Sequence, residues 1–116
     1  MIHMLSSFDL KPGQEFETFQ ADYAAFVTDL TEAGIIVGAG PLGKRVADTP
    51  MDTDEERNHA WFSILTFRDR AQLDAAYAYI EAHQRPGTAS HIRMYRRITN
   101  SIFLCWEDQP AEKDAP

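Results

Sequence analysis

The spacing of apolar residues switches between two and three-to-four along this chain, and each switch marks an element. Ile2 to Leu10 alternates with apolar residues on both faces, the pattern of a strand covered on both sides. Lys11-Pro12-Gly13 breaks it, since proline lacks the N–H and glycine accepts turn geometry. From Gln14 to Ala33 the apolar positions Phe16, Phe19, Tyr23, Phe26, Leu30 and Ala33 recur every three or four residues, which predicts an amphipathic helix closed by Gly34. Ile35-Ile36-Val37 opens a second strand that the run Gly38 to Gly43 interrupts.

The second half repeats the order. His59 to Phe67 predicts a third strand, with Ala60, Phe62, Ile64 and Thr66 on one face and His59, Trp61, Ser63, Leu65 and Phe67 on the other. Asp69 and Gln72 make a capping-box-like start to a second helix lined by Leu73, Ala76, Tyr77 and Ile80, which Arg85-Pro86-Gly87 ends. Ser90 to Thr99 predicts the fourth strand, alternating Ile92, Met94, Arg96 and Ile98 against His91, Arg93, Tyr95 and Arg97. Ile102 to Trp106 is a spare apolar run, and 107–116 reads as a disordered tail.

The order βαββαβ implies a ferredoxin-like α+β domain over residues 1–106, with sheet order 4-1-3-2 and two helices on one face. Taking the first and third strands as parallel neighbours, the helix-facing set is Ile2, Met4, Phe8, Ala60, Phe62, Ile64, Ile92 and Met94. His3 and His59 then meet at one end of the opposite face, where Arg97 also arrives. That face, with Trp61, Leu65, Phe67 and Tyr95, would be a large exposed apolar patch, so a homodimer packed sheet to sheet is expected. The spare strand could reach across it.

Charge narrows the partners. A net charge of −7 argues against a nucleic-acid surface. No apolar run is long enough to span a bilayer, and no membrane partner is expected. The single Cys105 makes no internal disulfide, and with no signal-peptide pattern at the N-terminus a cytoplasmic location is expected. The Gly38–Gly43 run matches G-x-G-x-x-G, but no helix follows to receive a pyrophosphate. The acidic loop from Ala47 to Asn58 lacks the EF-hand ligand spacing. Neither a cofactor nor a metal is therefore expected, since a histidine pair would need a third ligand that the sequence does not specify.

Lys11-Pro12-Gly13, Ala33-Gly34-Ile35, Thr66-Phe67-Arg68-Asp69 leading to Leu73-Asp74 and Tyr77, and His83 with His91 together resemble the dimeric α+β barrel superfamily. That group includes antibiotic-biosynthesis monooxygenase-like and stress-responsive α/β barrel proteins. The resemblance covers roughly residues 2 to 99. It implies a pocket for a small, partly apolar molecule and, if the chain is an enzyme, cofactor-independent monooxygenase- or isomerase-like chemistry. The residues themselves place such a pocket between the two sheets. His59, His3 and Arg97 are the candidate catalytic groups, with imidazole to take a proton and guanidinium to hold an oxyanion. Trp61, Ser63, Arg93, Tyr95 and His91 are the candidate ligand-binding groups. The competing reading is a non-catalytic structural or stress-associated dimer with a dry sheet–sheet interface.

Overall fold

A computed structural model describes residues 1–83 and 86–110. In chain order the elements are β1 (Ile2–Leu10), α1 (Phe16–Glu32), β2 (Gly38–Ala39), β3 (Gly43–Lys44), β4 (Trp61–Phe67), α2 (Arg70–Glu81), α3 (Gly87–Tyr95) and β5 (Ile98–Glu107). The strands form one antiparallel sheet, and the buried residues of the helices pack against one of its faces. The chain has an α+β, ferredoxin-like fold.

The helix ends are closed by identifiable bonds. Gly34 takes φ +74° after α1, and its N–H donates to the Thr31 carbonyl while the Ile35 N–H donates to that of Leu30. This pairing satisfies carbonyls the helix leaves open and needs a left-handed residue at its corner. Asp69 caps α2 by accepting the Gln72 N–H at 2.9 Å. Buried Gln72 in turn accepts from the Arg68 N–H and donates to the Gly34 carbonyl, so the start of α2 is tied to the end of α1. The apolar stripe of α1 (Phe19, Tyr23, Phe26, Leu30) is fully buried.

The sheet order is β2-β4-β1-β5, with β3 also on β4. It differs in detail from the expected order, and three assignments change. First, β4 runs antiparallel to β1, pairing Ile2 with Phe67 and Phe8 with Trp61. The even residues of β1 therefore share a face with the odd residues of β4. The helix side holds Trp61, Ser63, Leu65 and Phe67, while Phe62 and Ile64 look away. Second, Ser90 to Thr99 is mostly helical: α3 buries Gly87, Thr88, Ser90 and Met94, a helical spacing, and is the third helix among the described residues. Third, the supposed spare strand is β5, which pairs with β1 from Ile2↔Glu107 to Leu10↔Ile98 around one irregularity. Ile35 and Ile36 are buried, but the ladder on β4 is made by the two short strands that follow them.

The C-terminal end of β5 is anchored, since the Asp108 N–H donates to the Met1 carbonyl at 2.8 Å. Residues 111–116 of the expected tail lie outside the described residues. Among the described residues, no helix is long and apolar enough to cross a membrane. The sheet face turned from the helices carries His3, Leu5, Ser7, Phe62, Ile64, Thr66, Ile102, Leu104 and Trp106 by the same register. Leu104 is 60% and Trp106 43% exposed.

Candidate ligand pocket

The helices do not close completely on the sheet. Between α1, α2, α3 and the sheet lies a cavity of ≈ 370 Å³, bounded by Met4, Phe26, Leu30, Leu65, Phe67, Leu73, Ala76, Tyr77, Ile80, His91, Tyr95 and Phe103. A smaller chamber of ≈ 70 Å³ continues inward past His91 to Tyr23, Ser6 and Ser63. The geometry follows from register. Met4, Ser6 and Phe8 of β1 face the helices, and the pair Ser6↔Ser63 leaves small side chains where the inner chamber forms, with Phe103 beside Ser6 on the other strand.

His91 lines both chambers. Its ring lies 5.5 Å from that of Phe26 on α1 and 5.5 Å from that of Tyr95, one helical turn along α3. Burial pushes its pKa below the ordinary histidine value, so the ring is neutral at pH 7 and able to accept a proton. Tyr95 stacks in turn near Phe103 at 6.4 Å, and its hydroxyl lies 3.3 Å from that of Ser101. Deeper in, the Tyr23 hydroxyl is buried without a geometrically good hydrogen bond. Burial raises its pKa, an effect the nearby Ser63 hydroxyl only partly offsets. Among the described residues, no Asp, Glu, Lys or Arg lines either chamber. The arrangement suits an uncharged, largely apolar molecule offering an acidic proton.

Of the residues singled out from the sequence, His91, Tyr95 and Ser63 come together here, in a cavity between the helices and the sheet of one chain. The others lie elsewhere. Arg97 donates through Nε to Asp22 and through Nη1 to Gln14, tying α1 to the start of β5. Trp61 lies flat on Phe16, ring centres 4.3 Å apart, with the Lys44 ammonium 5.8 Å from the centre of its ring. Arg93 is exposed. His3 and His59 are at opposite ends of the sheet, because β1 and β4 are antiparallel. His3 pairs with Thr66 and Asp108 at 3.0 Å and lies against Trp106, whereas His59 is buried near Asn100. Among the described residues, no three His, Cys, Asp or Glu side chains are grouped to hold a metal. Tyr23 was not anticipated, although a phenol within an otherwise apolar helix stripe is its signal.

No protein-family model matches this sequence, and no curated protein is similar to it. Thirty chains of solved structure do match. The Arabidopsis thaliana protein At3g17210 superposes with TM-score 0.73 at 9% identity, covering 97% of this chain and 99% of that one. An antibiotic biosynthesis monooxygenase gives 0.59 at 14% identity, covering 95% and 100%. SnoaB from Streptomyces nogalater, described as a cofactor-independent oxygenase, gives 0.60 at 10% identity, covering 97% of each. Two further matches are described as dimeric proteins of ferredoxin-like fold and unknown function. At these identities the likeness is one of fold.

Proposed function

We propose that this protein binds a small, uncharged, partly apolar molecule in the helix-side cavity, and that His91 takes an acidic proton from it. The observation that carries this reading is the neutral imidazole of His91 at the junction of two apolar chambers, between the rings of Phe26 and Tyr95. A pocket whose described lining is apolar and uncharged apart from His91 favours a planar molecule with a C–H or O–H acidic enough for imidazole. Removing that proton leaves an enolate- or phenolate-like anion, the starting point of both cofactor-independent oxygenation and isomerisation. SnoaB lends the oxygenase branch its support by fold.

The protein acts as a homodimer in this reading, with Trp106 and its neighbours on the outer sheet face covered by a second copy. The dimeric description of two fold neighbours and the exposure of that face support it. The interior of each chain stays open in such a dimer, which favours a ligand-binding barrel over a dry structural one.

The test is a thermal-shift screen of hydroxynaphthalenes and hydroxyquinones on the full chain, followed by oxygen-uptake and isomerisation assays on those that bind. Binding that shifts Phe26, Leu30 and Tyr95 resonances, with turnover lost in His91→Phe, is the expected result. Binding without turnover would leave a ligand carrier and remove the proton-transfer role. Failure of every probe to enter the cavity would overturn the reading altogether.

A further inference from the structure

The inner faces of β1 and β4 are apolar except at one level. Toward the helices β1 presents Ile2, Met4, Ser6 and Phe8, and β4 presents Trp61, Ser63, Leu65 and Phe67. The two serines are register partners. Directly opposed residues of an antiparallel pair have Cβ atoms about 4.5–5.5 Å apart, so the two hydroxyls stand side by side. Packing alone favours aliphatic side chains at both positions. Instead a pair of hydroxyls occupies the inner end of the helix-side cavity, among Phe8, Phe19, Met94 and Ile98.

Both hydroxyls face open space. Ser6 and Ser63 are 6% and 5% exposed, and both line the inner chamber of ≈ 70 Å³. Among the described residues neither side chain makes a hydrogen bond of good geometry, and neither oxygen is closed off as the Tyr23 hydroxyl is. That phenol lies beside Ser63 and backs it without meeting the chamber. Each serine keeps an O–H to donate. The chamber exceeds the share of one water, about 30 Å³, and has room for a short polar arm. It lies on the helix side, so a second copy on the outer sheet face leaves it open.

We propose that Ser6 and Ser63 form the oxygen subsite of the helix-side pocket and that its ligands are aryl ketones, an inference that rests on that cavity being the ligand site. The ring system fills the outer chamber against Leu73 and Ile80, and the acyl group enters the inner one. There the two serine O–H groups donate to the two lone pairs of the carbonyl oxygen. His91, which lines both chambers, stands where ring and acyl group meet. When it takes a proton from the carbon next to the carbonyl, the C–H pair becomes a C=C bond and the carbonyl pair settles on oxygen. The same two donors then stabilise that charge. A carboxylate in place of the ketone brings a full charge to a chamber whose described lining offers no cation.

The experiment uses two probes of one shape, 2-acetylnaphthalene and 2-isopropenylnaphthalene, which differ by C=O against C=CH₂. Each is titrated into the full chain while methyl resonances are followed. The ketone is expected to bind about tenfold more tightly, because only it meets the hydroxyls. It should shift Met94 and Ile98 of the inner chamber as well as Leu73 and Ile80 of the outer one. The infrared carbonyl stretch of the bound ketone should lie below its value in an apolar solvent. Ser6→Ala combined with Ser63→Ala should bring the two affinities within about twofold and return the stretch to that value. The wild-type ratio and stretch decide the matter if the double variant does not fold. Equal affinities for the two probes, or an unshifted stretch, would overturn the oxygen subsite and leave the helix-side pocket standing. If neither probe binds, both readings fall.

Discussion

His91 and Tyr95 lie one helical turn apart on α3 with their rings 5.5 Å from centre to centre and 20° from parallel, so the helix presents a two-ring wall to the cavity. The imidazole member is held neutral by burial. Because its folded pKa is depressed, the unfolded chain takes up its proton at a higher pH than the folded chain. The stability tied to His91 is whole above the ordinary value of 6.5 and is lost as pH falls through the lower folded value. In urea unfolding from pH 7.5 down to pH 5, the wild type should lose more stability than His91→Phe. Parallel pH profiles for the two proteins would contradict the assignment.

Tyr95 tests the other half of that wall. It is 43% exposed, so Tyr95→Ala should cost little beyond the aromatic contacts, about 0.5–1.5 kcal/mol for the stacking. The larger effect should fall on ligands, whose affinity for the helix-side pocket should drop about tenfold. Calorimetric binding of a hydroxynaphthalene probe to the wild type and the variant makes the comparison. Unchanged affinity would place the ligand elsewhere.

Much of this was legible in the chain and some was not, for reasons specific to particular residues. The stripe Phe19, Tyr23, Phe26 and Leu30 is buried where a helical period places it, and Gly34 closes α1 in the expected left-handed conformation. The faces of β4 came out reversed because period two separates two faces without saying which is inside. That choice depends on strand direction, and antiparallel pairing puts Trp61 on Phe16 and leaves Phe62 outside. α3 was hidden because nine residues hold both periods: Ile92 and Met94 alternate, while Ser90 and Met94 are a helical turn apart. The length of β5 decides between them, since only 98–107 matches the full run of β1. His91 and Tyr95 were picked out on a strand, where they would share a face as i, i+4. A helix also puts i and i+4 on one face, and its shorter rise brings the two rings within 5.5 Å, a contact a strand would not have made.

Arg97 is a fastener. Its guanidinium reaches Asp22 and Gln14 of the α1 region, and the Arg97 and Asp22 side chains are only 20% and 16% exposed. Arg97→Ala leaves a largely buried carboxylate with no cation. It should cost about 1.5–3 kcal/mol, the range for hydrogen bonds to charged groups. Asp22→Asn combined with Arg97→Ala should cost less than the sum of the two single changes. Ligand affinity of the folded fraction should be unaltered, and a variant of full stability with no binding would return Arg97 to the site.

Gly87 is a packing requirement at the start of α3. A methyl group there would meet the Tyr79 ring at 2.3 Å, and the Gly87 N–H donates to the Tyr79 hydroxyl at 3.0 Å. Gly87→Ala favours the helix by intrinsic propensity, yet it must push Tyr79 away and break that bond. A net loss of about 1–3 kcal/mol is expected from overpacking. Tyr79→Ala should remove the penalty, so the double variant should be no less stable than Tyr79→Ala alone. A more stable Gly87→Ala protein in thermal unfolding would show that Tyr79 moves freely.

The bare end of the outer sheet face decides the assembly. Trp106 is 43% exposed beside His3, with Ile64 and Thr66 on the same face of the neighbouring strands. In an isolated chain, Trp106→Asp exchanges a half-exposed ring for a solvated carboxylate and should move stability little. At a sheet–sheet interface it places an unpaired charge, in each of two symmetry-related copies, where neither can be hydrated. Sedimentation velocity at micromolar concentration should therefore show the wild type at twice the chain mass and Trp106→Asp at the mass of one chain. Circular dichroism at the same concentration should report the same secondary structure for both. A wild type that sediments as one chain would leave Leu104 and Trp106 exposed to water and remove the homodimer. A variant that remains double would move the contact to another face of the molecule.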